Sequence, residues 1–201
     1  VAHNDVLRKT RLATIGQTAS VLAHEMRNPL ASIKLALSGM SEREDLPDRT
    51  RRRFELVTGE VDRLDALLSQ TLDYVRPVTL STRPVVLDQL ISKVLDQQQP
   101  LLTERGITLR RQVCIECAAI RLDEDKMHQV LLNLLKNAVE ASPEGGVIGL
   151  RVFRDKVNQV VVELTNGGEP IDAETVERAF EPFFTTKPRG SGLGLGLVKR
   201  I

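Results

Sequence analysis

Apolar residues recur at spacings of three, four and seven through the first third of the chain. Leu12, Ile15, Ala19, Leu22, Met26, Ile33, Leu37 and Met40 form one stripe; Phe54, Val57, Val61, Leu64, Leu68, Leu72 and Val75 form a second. This spacing puts each set on one face of a helix, and its heptad character marks helices that pack against other helices. The polar stretch Ser41-Glu-Arg-Glu-Asp-Leu-Pro47-Asp48 separates the stripes, so residues 1–76 read as an all-α helical hairpin, with Asp48 as a cap for the second arm. Pro77 and Pro84 interrupt the pattern, and residues 77–84 read as a linker. A hairpin cannot bury a continuous apolar stripe alone, whereas two copies can, as a four-helix bundle. The pattern therefore predicts a homodimer through residues 1–76.

From residue 85 the periodicity changes. Val85–Leu87 reads as a strand, Asp88–Gln99 as a helix and Ile107–Val113 as an alternating strand. After a short segment at Ala118–Leu122 comes a strong helix, Glu124–Ala141, with Met127, Val130, Leu131, Leu134, Leu135 and Val139 as its apolar set. Ser142-Pro-Glu-Gly-Gly146 is a turn, and Val147–Phe153 and Val157–Leu164 look like a strand pair. Helices mixed with strands predict an α+β sandwich for residues 85–201.

Composition narrows the classes. The 201 residues are 41% apolar and 27% charged, as in soluble globular chains. With no Trp, one Tyr and five Phe, the core must be built from Leu, Val, Ile and Ala. A net charge of +1, from 28 basic and 27 acidic residues, argues against a nucleic-acid partner. No apolar run is long enough to span a bilayer and no signal peptide opens the sequence, so a cytoplasmic location is expected. Val1 is not a start residue, which points to a piece of a longer protein whose membrane attachment stays open. Cys114 and Cys117 have redox-motif spacing but no second pair for a metal, and read as incidental thiols. Arg49, Arg51, Arg52 and Arg53 read as a solvated face balanced by Glu55, Glu60 and Asp62. Arg27 is a candidate for partner docking, which nothing in the sequence proves.

The first candidate site is Leu22-Ala-His24-Glu25-Met-Arg27-Asn28-Pro29-Leu30. His24 lies two residues from both Leu22 and Met26, so it points away from the apolar stripe, and Asn28 is one turn on along the same face. Pro29 removes the amide that would bond the Glu25 carbonyl, so the helix is expected to bend or loosen just beyond His24. An exposed imidazole beside a carboxylate suits nucleophilic chemistry: Glu25 orients or takes the proton of one ring nitrogen while the other keeps its lone pair. A lone histidine here is most often a solvated helix residue. The run His-Glu followed by Arg-Asn-Pro sets this one apart from His3 and His128, which read as structural. A His-Glu-x-x-His zinc motif is excluded because residue 28 is Asn.

Three further patches occupy the second half. Asn133 and Asn137 share one helix face, where amide oxygens one turn apart can hold a magnesium ion against triphosphate oxygens; equally, they can be two polar residues on an apolar helix. Asn166, before Gly167 and Gly168, can accept from an exocyclic amine and donate through its own nitrogen, which suits adenine, although Asn-Gly is also an ordinary turn. Phe180-Glu-Pro-Phe-Phe184-Thr-Thr-Lys187 leads into Gly190-Ser-Gly192-Leu-Gly194-Leu-Gly196. Glycines there let backbone amides approach phosphate oxygens, a helix start adds its positive end, and Lys187 adds a direct charge. The stretch is neither a Walker loop nor a dinucleotide fingerprint, and alone it reads equally well as a flexible loop.

In this order the patches resemble the transmitter core of a bacterial sensor histidine kinase over nearly the whole chain. His24–Pro29 resembles the H box, Asn133–Ala141 the N box, Leu164–Ile171 the G1 box, Phe180–Lys187 the F box and Gly190–Gly196 the G2 box. The resemblance implies a dimerisation and histidine-phosphotransfer domain at 1–76 and, at 85–201, an ATP-binding domain of the histidine kinase/gyrase/Hsp90 type. It implies that His24 accepts the γ-phosphoryl group of ATP, with Glu25 as base, and passes it to an Asp of a response-regulator receiver domain. Asn28 matches the position that places a water for dephosphorylating the regulator. Asn137 matches the Mg2+ ligand. Asn133 stands where hydrolytic relatives carry a water-activating glutamate, and an amide there fits transfer rather than hydrolysis. The implied nucleotide-binding set is Asn133, Lys136, Asn137, Asn166, Gly168, Lys187, Ser191, Gly192, Leu193, Gly194, Leu195 and Gly196. Three departures stand out: Asn166 replaces the usual Asp, which predicts weaker nucleotide affinity; Pro170 replaces the second G1 glycine; and the chain stops at Ile201, so the second domain is expected to be C-terminally incomplete. They motivate a rival reading, a non-catalytic dimeric signalling scaffold with a degenerate nucleotide pocket.

Overall fold

The structure, a computed structural model, describes residues 25–40, 46–114, 119–188 and 190–201. It divides into two compact units, Val1–Pro77 and Val78–Ile201. In the first, helix α1 covers 25–40 and α2 covers Asp48–Val75. Residues 25–40 stay helical across Pro29. Asp48 is not the cap expected of it: Pro47 holds the N-cap position with no side-chain cap bond, and Asp48 lies in the first turn, where its charge favours the helix dipole. The helix stops because Arg76, preceding Pro77, is pushed to extended backbone (φ −60°, ψ 137°).

Polar bonds join the two arms. Arg27 Nε donates to Asp65 Oδ1 (3.2 Å) and its Nη2 to Ser69 Oγ (2.9 Å), while Lys34 Nζ donates to Asp62 Oδ1 (2.7 Å). The Asp62 carboxylate, first by this hydrogen bond and then by its charge, raises the Lys34 pKa. Asp62 and Glu60 thus serve Lys34 and Arg63, not the arginine run of the first turns. Val61 and Leu72 are buried, but much of both stripes is open. Leu12, Ile15, Ala19, Leu22 and the turn residues 41–45 lie outside the described residues.

The second unit begins with β1 (Arg83–Val85), α3 (Leu87–Glu104), β2 (Thr108–Val113) and β3 (Ile120–Leu122). There follow α4 (Glu124–Ala141), β4 (Val147–Arg154), β5 (Val160–Asn166), α5 (Ala173–Arg178) and α6 (Gly194–Arg200). β4 is central to a three-stranded sheet, parallel to β2 and antiparallel to β5; β1 and β3 form a separate antiparallel pair. Alternation along β4 buries Ile148, Leu150 and Val152 against Leu90, Ile91 and Val94 of α3 and Leu135 and Val139 of α4. The small gap between α3, α4 and the sheet is walled by apolar side chains alone, among them Leu131, Leu134 and Val162, so it is core.

The largest differences from expectation fall in three elements. The first strand is Arg83–Val85, two residues early, because it pairs with β3 in the register Arg83↔Leu122; Pro84 is tolerated because both strands are edges. Leu87 is then a core residue of α3. That helix runs through Pro100 to Glu104, since Leu102 beyond it is buried. The last strand starts at Val160, not Val157: Asp155 Oδ1 accepts from the N–H groups of Val157 (3.0 Å) and Gln159 (2.8 Å), and Asn158 takes a positive φ of 66°, closing a turn.

Candidate functional site

The site is built on α4, whose ends are pinned. At its start Asp123 Oδ1 accepts from Lys126 N–H (3.0 Å) and its other oxygen from Ser81 N–H (2.7 Å). The Ser81 bond, then the Lys126 bond, holds the Asp123 carboxyl below the usual carboxylate range. Glu124 is likewise lowered, first by Lys93 and then by Arg83, which reach it at 3.1 and 2.5 Å and tie α3 and β1 to this end. At the other end Arg105 donates to Val139 O (2.5 Å), which otherwise has only a long bond from Ser142 N–H (3.3 Å), and to Ser142 O (3.0 Å), beyond the last turn. Buried Ser142 donates its hydroxyl to Ala138 O (2.7 Å).

With the helix fixed, Asn133, Asn137 and Glu140 fall at positions i, i+4 and i+7, on one face. Lys187 reaches this face: its Nζ lies 2.6 Å from Glu140 Oε2 and 3.4 Å from Asn137 Oδ1. The first turn of α6 lies beside it. A Cβ added at Gly194 would sit 3.5 Å from Asn133 Oδ1 and 3.9 Å from Asn137 Nδ2. At the C-terminal end of α4, a Cβ at Gly168 would collide with Ala141 O and meet Asn166 Nδ2 at 2.9 Å. The loop after β5 therefore passes directly under the end of α4, carrying Asn166 with it.

The segment between Lys187 and α6 closes on itself. Phe183 N–H donates to Gly192 O (2.9 Å), and both residues have positive φ, 67° each. Thr185 Oγ1 accepts from Lys187 N–H (3.1 Å), and Gly190 N–H donates to Lys187 O (3.1 Å). Arg178 stacks on Phe184, its Cζ 4.2 Å from the ring centre. Asp172 caps α5 through Thr175 N–H (2.8 Å) and the Thr175 hydroxyl (2.7 Å), bonds that lower its pKa in that order.

The structure thus brings Asn133, Asn137, Lys187 and Gly194 together on one side of α4, with Asn166 and Gly168 at its end. Lys136 is exposed and carries no bond to this group. Ser191 Oγ accepts from Leu193 N–H (3.3 Å). Leu193 and Gly196 are buried, so they and half-buried Leu195 can offer a ligand only backbone. α6 has seven residues, too short for its dipole to hold an anion by itself, so among the described residues Lys187 is the positive charge that reaches this face. Glu25 and Asn28 are exposed on α1; His24 lies outside the described residues, as do Arg189 and Cys117. Glu140 was not among the residues expected here, although its spacing from Asn133 and Asn137 is visible in the sequence.

Among the described residues no group of three or more His, Cys, Asp or Glu side chains is placed to hold a metal. A cation here must rest on amide oxygen and on the oxygens of a substrate. Asn137 fits that chemistry, because its Oδ1 already faces the Lys187 ammonium. No helix among the described residues is long and apolar enough to cross a membrane.

Comparison with known proteins gives two family matches. Residues 14–79 match the His Kinase A (phospho-acceptor) domain, and residues 122–201 match the histidine kinase-, DNA gyrase B-, and HSP90-like ATPase. The sensor histidine kinase ZraS of Salmonella typhimurium is 33% identical over 204 residues, covering 100% of this chain and 44% of that protein. The chain therefore spans less than half of that curated relative's length. The solved catalytic domain of histidine kinase ThkA is 33% identical with a TM-score of 0.55, covering 62% of this chain and 80% of that one. Histidine kinase ThkA in complex with response regulator protein TrrA matches at 29% identity and a TM-score of 0.68, over 99% of this chain and 57% of that one.

Proposed function

The chain belongs to the histidine kinase family, and from that premise we propose that it is a dimeric phosphotransfer core that phosphorylates His24 from Mg-ATP and passes the group to an Asp of a response-regulator receiver domain. One observation carries the reading: Lys187 and Asn137, 50 residues apart, meet on one face of α4, with Gly194 against Asn133. A lysine, two amides and a glycine turn gathered there make a cradle for phosphate oxygens. The nucleotide base is assigned to Asn166, and the backbone around Gly168 and Gly192–Gly196 to the lining of the pocket.

The chemistry follows from the residue types. Phosphoryl transfer needs positioning and charge stabilisation more than covalent help from the protein. One imidazole nitrogen of His24 bonds to the γ-phosphorus as the bridging P–O bond to ADP breaks, and Glu25 orients the ring and takes its proton. Lys187 stabilises the charge on the phosphates. Asn137 would hold magnesium through Oδ1, where the ion neutralises triphosphate charge. Asn133, a poor base, leaves water unactivated. In the second transfer the N–P bond breaks as a regulator aspartate takes the group; in a separate hydrolysis Asn28 positions a water that attacks the aspartyl phosphate, breaking its P–O bond and releasing inorganic phosphate.

The test is incubation with magnesium and γ-labelled ATP. Acid-labile label on the chain that disappears in His24→Gln is the expected result. Nucleotide bound without label would replace this reading with the scaffold one. Steady phosphate release from an unlabelled chain would point to a hydrolase.

A further inference from the structure

Lys187 makes two contacts that serve different states. It is paired with Glu140 at 2.6 Å and reaches Asn137 Oδ1 at 3.4 Å. Asn137 Oδ1 is the oxygen assigned above to the metal, so ammonium and metal compete for one place. Both side chains of the ion pair are only partly exposed, 37% for Lys187 and 38% for Glu140, so water screens them incompletely. Glu140 has no role in the proposed transfer, yet it stands one turn beyond Asn137 on the same face. Its carboxylate therefore borders the space that triphosphate oxygens would enter.

We propose that Glu140 is a positioning residue that makes the pocket select metal-bound over metal-free nucleotide; this rests on the nucleotide-binding reading above. Without nucleotide, Glu140 holds Lys187 against Asn137 and keeps the amide oxygen occupied by a cation. A nucleotide draws Lys187 to its phosphates and exposes Glu140. Metal-free ATP then brings uncompensated negative charge up to a carboxylate and is repelled. The metal complex brings a cation to Asn137, beside Glu140, and the lost pair is replaced. The lysine and the carboxylate work as a counter-ion exchange in which Glu140 penalises one form of the nucleotide and tolerates the other.

The experiment is calorimetric titration of the 201-residue chain with ATP, once in excess magnesium chloride and once in EDTA. Glu140→Gln should tighten binding of metal-free ATP by roughly three- to fivefold, the scale of a partly exposed ion pair, and narrow the ratio of the two affinities. Lys187→Met should do the opposite: binding weakens in both conditions, more so in EDTA, and the ratio widens. A general structural role for Glu140 would move both affinities together. A ratio unchanged in Glu140→Gln overturns the proposal. Should that variant melt too early to titrate, an unchanged or narrowed ratio in Lys187→Met does so instead. Wild-type chain that binds no ATP in either condition would overturn the nucleotide-binding reading itself, an outcome distinct from a fixed ratio.

Discussion

At the scale of single residues, the site depends on places where a side chain would not fit. Gly192 has a φ of 67°, and a Cβ there would lie 2.7 Å from both Cα and O of Phe183. Phe183 is itself in the left-handed region and donates its N–H to Gly192 O. The two backbones clamp the segment that carries Lys187. Gly192→Ala adds strain of about 1–3 kcal/mol at one residue, and an exposed loop releases such strain by opening locally. The expected result is at least a tenfold loss of ATP affinity by calorimetry with little change in thermal melting. Unchanged affinity would show that the clamp does not matter for the pocket. The glycines were legible in the sequence as a loop that admits phosphates, but their steric partners were not. Nothing near Gly192 in the chain names Phe183, and nothing near Glu140 names Lys187, 47 residues on. Local spacing supplied residue types; partners came from the fold.

At the scale of elements, legibility followed the strength of local signals. Glu124–Ala141 was readable to the residue, because an Asp cap, acidic first-turn residues and apolar positions three and four apart all agree. β1, α3 and β5 were displaced by forces the window does not contain: a register set by β3, a buried Leu102 beyond a proline, an Asp155 turn. Arg105 is another such long-range term. It lies just past α3 and satisfies two carbonyls at the end of α4, 34 and 37 residues away. Arg105→Ala strips Ser142 O of this donor and leaves Val139 O with only the long bond from Ser142 N–H (3.3 Å), at a cost of about 1–3 kcal/mol. Urea unfolding followed by far-UV dichroism should show the midpoint falling with the slope unchanged. Because the same turn carries Asn137 and Glu140, ATP affinity should fall with it. A variant as stable as the parent would mean that water replaces the guanidinium at both carbonyls.

At the scale of the whole molecule, the open question raised by the hairpin is its uncovered seam. Met26, Ile33 and Met40 follow one another at intervals of seven along α1 and remain 55%, 46% and 51% exposed once α2 has packed. Val57 and Leu64 do the same on α2, at 47% and 51%. A seven-residue interval is the repeat of a helix facing another helix, not of a face left to water. Isolated exposed apolar residues are common, but rows in heptad register on both arms of one hairpin form the kind of patch that monomers rarely leave open. A homodimer of the kind proposed above would cover both rows at once; the heptad stripes that suggest it are local in the sequence, while the ion pairs between α1 and α2 could not be read there. The chain of 22.4 kDa should therefore sediment at micromolar concentration with twice that mass. Val57→Lys combined with Leu64→Lys puts two charges on the seam and should shift it to monomer. Neither residue is buried within the hairpin, so the helical content of the variant should be retained by circular dichroism. A wild-type chain that sediments as a monomer would remove the dimer. A double variant that stays dimeric would move the interface off this seam.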